Sequence, residues 1–322
     1  MALRVGVLSS AHVHASSFLQ SFANLPEVQV VGLWDDDAAR GKPFAEKHST
    51  VFFEDAQALL AQVDAVAICS ENLKHADHIE MAAAAGKHIL CEKPIAANRD
   101  QADRIQKAVE SAKITFMTAF PCPFSPTFHK MKSSIASGEI GKVLALSTTN
   151  RGTCPFGWFV EADKSGGGAM IDHVVHVADL IRRILGEDAE TVFAQVGHNM
   201  NGQEWEDVAH LTVGFPSGVF ATIDSSWSRP TGYKIWGDVT LKVVGEIGLI
   251  EADLFGQGVD IFSPLHNFAG SGSNLDALMA AEFVRAVTTN TPPLCTLEDG
   301  LMASRVAHAG YESVASGKAV QV

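Results

Sequence analysis

The sequence predicts an α/β protein: a doubly wound parallel sheet at the N-terminal end, then a second α/β domain on a mostly antiparallel sheet. Three observations predict it. Short, continuous apolar runs alternate with longer amphipathic ones over residues 1–120. Three prolines, Pro121, Pro123 and Pro126, then interrupt that rhythm. Beyond them the strand-like runs lengthen and alternate in polarity.

In order, the strand-like runs of the first part are 4–8, 28–34, 64–69, 87–91 and 114–119. Helix-like runs lie between and after them, at 14–24, 38–47, 54–61, 74–85 and 98–112. A β-α-β rhythm with continuous apolar strands is the pattern of a parallel sheet covered on both faces. After the prolines, 125–137 reads as a helix, 142–150 as a strand, and 168–185 as a helix ending before Gly186. Runs at 191–197, 207–214, 218–227, 238–244 and 247–252 follow, joined by Gly or Pro turns such as Pro216-Ser217-Gly218. Their alternation predicts a sheet with one solvent-facing or partner-facing side. Helices at 275–289 and 298–316 close the chain. The predicted domains are 1–121, dinucleotide-binding, and 122–322, substrate-binding.

With 322 residues, either half is long enough to bury its own core. Hydrophobic residues at 47% and charged residues at 19% describe a globular chain. The net charge of −13 argues against nucleic acid or an anionic membrane as partner, since both need a basic footprint. Five cysteines, an odd number without CxxC spacing, predict reduced, buried thiols. The chain enters a strand at Leu3-Arg4-Val5-Gly6-Val7-Leu8, without the pattern of a signal peptide. No stretch approaches the ~20 apolar residues of a membrane span. These features place the protein in the cytoplasm.

Strand 4–8 followed by helix 14–24 puts Ser9-Ser10-Ala11-His12-Val13-His14 where a dinucleotide fold carries its phosphate loop. Ser9, Ala11 and His14 stand at the three glycine positions of G-x-G-x-x-G, so the motif is absent. Small residues and helix-start amides still favour an anion. The Ser9 and Ser10 hydroxyls add donors. Asp35, at the end of run 28–34, stands where a carboxylate takes a ribose 2′-hydroxyl and repels a 2′-phosphate. The expected cofactor is NAD, with NADP as the alternative. Asp36 and Asp37 also suit the cap of the helix from Ala38.

Glu92-Lys93-Pro94 ends run 87–91, at the carboxyl edge where ligands of open α/β sheets bind. A lysine there can neutralise a developing alkoxide, and Glu92 can hold it or touch the cofactor. Asp172 and His176 are i and i+4, so they share a helix face, which Asp179 continues. Imidazole is the usual proton-transfer group near neutral pH. Gly166-Gly167-Gly168 before them permits close backbone approach to a ligand. His173, about 100° round the helix, reads as an ordinary polar residue. Lys93, Asp172 and His176 are the candidate catalytic set. Arg151 and Trp158 are candidates for the substrate, with Trp227 and Lys234 behind them.

His12 and His14 also permit another reading. An H-x-H pair ending a first strand begins metal-dependent hydrolases of the barrel type, where two imidazoles hold zinc. That fold needs eight βα units, and this chain turns to antiparallel-looking sheet sooner. The favoured reading assigns no metal ligands.

At these residues the chain resembles the Gfo/Idh/MocA family (glucose–fructose oxidoreductase, inositol dehydrogenase and relatives) over nearly its full length. Glu92-Lys93-Pro94 resembles the family's E-K-P motif, and Gly167-Gly168 through Asp172 and His176 its G-G-x-x-x-D-x-x-x-H motif. Ser70-Glu71-Asn72-Leu73-Lys74-His75 resembles its segment after the fourth strand, where an Asn and a His face the cofactor. Glu298-Asp299-Gly300 and the final helix resemble its C-terminus. The resemblance implies a Rossmann domain, then an α/β domain with a large open sheet that packs homodimers or homotetramers. It implies NAD(P)-linked oxidation or reduction of a sugar or polyol carbon by Lys93, Asp172 and His176. Ser9, Ser10, Ala11, His12, Asp35, Ser70, Asn72, His75, Glu92 and Lys93 would hold the cofactor. The rival reading is a non-catalytic sugar- or nucleotide-binding regulator on the same scaffold, motivated by the missing glycines.

Overall fold

The computed structural model describes residues 2–322 except 199, 201, 202, 234–236, 257, 264, 265 and 271, with side chains left out over 257–271. It divides into two compact units. Met1–Pro121 with Asn274–Leu301 form the first, and Cys122–Ser273 with Met302–Val322 the second.

The first unit holds β1 (Leu3–Leu8), α1 (Ala15–Ala23), β2 (Val28–Trp34), α2 (Ala38–Lys47), β3 (Phe52–Phe53), α3 (Ala56–Leu60) and β4 (Ala65–Ile68). Then come α4 (His75–Ala84), β5 (His88–Cys91), α5 (Arg99–Ala112) and β6 (Phe116–Thr118). The six strands are parallel, in the order β3-β2-β1-β4-β5-β6. This is a Rossmann sheet, with its topological switch between β1 and β4. β4 shows why the sequence folds so: all four of its residues are buried, as both-faced cover demands. Helix starts follow local chemistry. Asp37, Asp55 and Asn98 each accept a backbone N–H in the first turn of α2, α3 and α5. β3 escaped the sequence reading, because two residues show no periodicity.

The second unit holds α6 (Pro126–Ala136), β7 (Val143–Gly152), α7 (Ala162–Ser165), α8 (Ala169–Leu185), β8 (Thr191–Gly197), β9 (Val208–Gly214) and β10 (Phe220–Ser226). β11 (Gly237–Gly245), β12 (Leu249–Asp253) and a hairpin of β13 (Gly258–Ser263) and β14 (His266–Gly270) follow. The chain then passes through α9 (Leu275–Thr289) and α10 (Leu297–Ser316) to β15 (Val320–Gln321). The main sheet runs β12-β11-β7-β10-β9-β8-β15; β7 and β10 are parallel and the other pairs antiparallel. One face buries Leu146, Ala194, Leu211, Ile223 and Leu241. The other leaves Phe193 38%, Phe220 51% and Val244 38% exposed.

One boundary differs from the sequence reading, which gave all of 122–322 to the second domain. α9 belongs to the first unit. Its Phe283 is fully buried and meets Phe22 of α1 ring to ring at 6.2 Å. An apolar helix face pairs with whatever apolar face is available, and sequence distance does not enter. All five cysteines are buried thiols outside any disulfide. Among the described residues no helix is long and apolar enough to cross a membrane.

Candidate active site

The chemistry-bearing residues fall in two groups, one in each unit. In the first unit, the loop between β1 and α1 holds no glycine. Ser9 takes a left-handed φ of 69°, the conformation glycine usually supplies. The surroundings hold it there: Ser9 N–H donates to the Trp34 carbonyl at 2.7 Å, and its Oγ accepts from Ala11 N–H at 3.3 Å. His12 N–H reaches the Cys69 carbonyl at 2.9 Å. The N-cap of α1, His14, makes no side-chain cap bond, and the first turn of α1 carries no acidic residue. No carboxylate of that turn therefore offsets the helix dipole.

Asp35 is 4% exposed at the end of β2. It accepts from Ser10 N–H at 2.7 Å and Ser10 Oγ at 2.6 Å. Arg40 donates to it twice, at 2.6 and 3.0 Å. Burial alone would raise the Asp35 pKa, but Arg40 and Ser10 outweigh it and hold the carboxyl at about 2. Asp37 caps α2, so both readings of the acidic triplet apply. Sequence reasoning missed Arg40, which also reaches Asp36 at 3.0 Å and Glu71 at 2.9 Å. The signal was present, since Asp36 and Arg40 are i and i+4.

At the end of β5, Glu92 is fully buried and Lys93 is 5% exposed. The Lys93–Pro94 peptide is cis. Glu92 Oε1 lies 3.0 Å from His14 Nδ1 and 3.7 Å from His12 Nδ1. Burial opposes its ionisation, yet His12, His14 and Lys93 together hold its carboxyl at about 2. His75 is fully buried, its Nδ1 2.8 Å from the Pro94 carbonyl. A carbonyl only accepts, so Nδ1 carries the proton. Burial lowers the His75 pKa to about 4, leaving a neutral ring that braces the Lys93–Pro94 corner. Ser70 and Asn72 are buried at the end of β4 and just after it. The barrel reading of His12 and His14 fails, because the strands behind them form an open six-stranded sheet among the described residues.

In the second unit, Asp172 and His176 lie on α8, 6% and 7% exposed. Trp227 Nε1 donates to Asp172 Oδ2 at 3.1 Å. His173 needs correcting from ordinary polar residue to neighbour of Asp172. Its ring is fully buried, with Nδ1 3.1 Å from the Asn150 carbonyl and Nε2 3.2 Å from Asp172 Oδ2. Asp179 is tied instead to Arg183, at 2.8 Å.

The glycines before α8 also serve differently than expected. A Cβ on Gly167 would collide with the Tyr311 hydroxyl, and one on Gly168 with the Glu206 backbone carbonyl. Packing of this chain on itself requires them. Glu206 Oε1 accepts from Gly168 N–H and from Tyr311 Oη, each at 2.6 Å, so a distant carboxylate caps α8. Sequence reasoning had no signal for this pair, because the partners lie on separate elements.

Trp158 stacks on Phe159 at 3.9 Å. With Trp205 it packs against Cys154, Phe159, Ala169 and Trp227, forming an aromatic wall beside Asp172. Arg151 falls outside this group. Its neighbour Asn150 points toward α8, donating to the His173 carbonyl at 3.0 Å, so strand alternation sends Arg151 to the other face. There it pairs with Asp224. Lys234 lies outside the described residues.

Comparison with known proteins gives the family and the fold. A profile described as an oxidoreductase family with an NAD-binding Rossmann fold matches residues 3–120. A second, the GFO/IDH/MocA C-terminal domain, matches residues 128–251. An uncharacterized oxidoreductase, YrbE, of Bacillus subtilis (strain 168) is 30% identical over 94% of this chain and 92% of its own length. Myo-inositol 2-dehydrogenase of Thermotoga maritima is 30% identical over 81% of this chain and 80% of its own. The crystal structure of GenD2 from gentamicin A biosynthesis, in complex with NAD, superposes with a TM-score of 0.91 over 100% of this chain and 96% of that one. At 22% identity it shares the fold.

Proposed function

This chain belongs to the Gfo/Idh/MocA family of NAD-binding oxidoreductases, and from that premise we propose that it transfers a hydride between nicotinamide and a hydroxyl-bearing carbon of a sugar, polyol or related compound. The observation that carries this reading is the pair of buried groups with matching chemistry: Lys93 beside Glu92 at the carboxyl edge of the parallel sheet, and Asp172 with His176 on one face of α8.

The loop residues fit a dinucleotide. Ser9, Ser10, Ala11 and His12 offer small side chains and amides at the start of α1 for the pyrophosphate, and Asp35 suits the adenosine ribose. Ser70, Asn72 and Glu92 line the nicotinamide half, with His75 holding the corner from behind. Bound nicotinamide supplies the hydride acceptor or donor. His176 takes the hydroxyl proton as the carbon is oxidised, and returns it in the reverse direction. Lys93 stabilises the developing alkoxide. Asp172, held by Trp227 and His173, orients the hydroxyl. The aromatic wall with Trp158 suits the apolar face of a sugar ring. NAD is the preferred cofactor, because the ionised Asp35 opposes a 2′-phosphate. The open sheet face joins copies into a homodimer or homotetramer.

A sugar and polyol panel assayed for NADH formation tests the reading. On the substrate found, Lys93→Met and His176→Asn each lower turnover by about 10²–10⁴-fold. Undiminished turnover in Lys93→Met sinks its assignment to the alkoxide, and undiminished turnover in His176→Asn sinks the proton-transfer assignment. A panel without any substrate-dependent NADH moves the non-catalytic regulator to first place.

A further inference from the structure

The H-x-H pair gains a third member in the fold. His12 and His14 come from the loop after β1, and Glu92 from the end of β5. A ligand atom from each lies within 4.8 Å of the other two. The imidazole rings sit 4.7 Å apart, and their Nδ1 atoms approach the same Glu92 oxygen at 3.7 and 3.0 Å. A tetrahedral zinc ion with bonds of about 2.0–2.1 Å separates its ligand atoms by roughly 3.3 Å. Both measured separations fall close to that value.

We propose that His12, His14 and Glu92 form a binding site for a divalent transition-metal ion of the zinc type on the dinucleotide loop of the first unit. Two imidazoles and one carboxylate are a zinc, cobalt or nickel donor set. Magnesium and calcium prefer all-oxygen surroundings. Three protein ligands leave a fourth position for water or an anionic group. The donors are held in place before any ion arrives. Glu92 Oε2 accepts from Lys93 N–H at 3.2 Å, and His12 is anchored through its N–H to the Cys69 carbonyl at 2.9 Å. Such outer contacts orient metal ligands. His12 Nδ1 now accepts from His14 N–H at 3.2 Å, a bond the ion replaces if it binds through that nitrogen. The site goes beyond the dehydrogenase reading and does not depend on it, since it stands on first-unit side chains alone.

The test uses the purified full-length protein, treated with chelator and titrated with Zn²⁺, Co²⁺ and Mg²⁺ by calorimetry, with visible spectra for Co²⁺. The expected result is uptake of about one equivalent of Zn²⁺ or Co²⁺, strong four-coordinate Co²⁺ absorption, and no comparable uptake of Mg²⁺. His14→Ala is the main variant, because His14 is half-buried and makes no side-chain cap bond to α1. It and Glu92→Gln each weaken Co²⁺ binding by at least about tenfold. Thermal melts of the metal-free variants confirm that they fold, and His12→Gln serves as the second histidine variant should His14→Ala fail to. Absence of saturable uptake overturns the proposal. So does uptake that the folded variants leave unchanged, because the metal then sits elsewhere.

Discussion

At the scale of single residues, Asp35 and Arg40 set a balance that the free enzyme already shows. Arg40 is held by Asp35, Asp36 and Glu71. Removing the Asp35 carboxylate leaves the guanidinium with Asp36 and Glu71 and takes away the carboxylate that would repel a 2′-phosphate at the proposed ribose position. Asp35→Ser is therefore expected to shift the ratio of NADP to NAD affinity toward NADP by about tenfold or more, measured by calorimetric titration of both. An unchanged ratio would place the adenosine ribose elsewhere. His75 makes a second residue-scale prediction. Its folded pKa of about 4 lies below the ordinary 6.5. The unfolded chain thus takes up a proton near pH 6.5 that the folded chain refuses until about 4. Its contribution to stability is complete above pH 6.5 and is lost as the pH falls toward 4, on the order of 3 kcal/mol in all. Denaturant melts between those limits should show a steeper pH slope in the parent than in a folded His75→Gln variant. Asp35 was legible in the sequence because a strand end followed by an acid is a local pattern. The contact of His173 with Asp172 was not, since it depends on a ring turned by Asn150 on another strand.

Among elements, α8 is the clearest case of a local pattern completed from far away. Its helical span, its i, i+4 pair and its glycine start were all readable. What caps it was not: Glu206 and Tyr311 lie 38 and 143 positions beyond Gly168, a pairing no local spacing encodes. The consequence can be measured. Gly168→Ala drives a methyl into the Glu206 carbonyl and should cost about 1–3 kcal/mol. Glu206→Ala should cost about 1–2 kcal/mol through the lost cap, and Tyr311→Phe about 1 kcal/mol. Chemical denaturation reads all three, and a neutral Gly168→Ala would mean that the loop has room to move. The parallel strands were legible because continuous apolar runs of four or more residues announce themselves. β3 and β15, at two residues each, fall below what periodicity can show.

For the whole molecule, the second face of the mixed sheet leaves Phe193, Phe220 and Val244 partly exposed among the described residues. If copies pair there, Phe220→Glu places a charge in the joint and should convert the oligomer to monomers in light scattering. An oligomer that survives the change would mean copies meet elsewhere. The two-part plan itself was legible from the change of rhythm after Pro121, but the return of residues 274–301 to the first unit was not. That return bears on how the protein is made. A ribosome releases residues 1–121 long before α9 exists. Synthesis at about 5–20 residues per second leaves the Phe22 flank of α1 waiting roughly 10–50 s for its partner Phe283. The nucleotide-binding half is thus the first to emerge, yet it is finished only with residues 274–301, just before the closing residues 302–322 complete the other half. A gene cut at the apparent domain border would yield a fragment stalled at that unfinished stage.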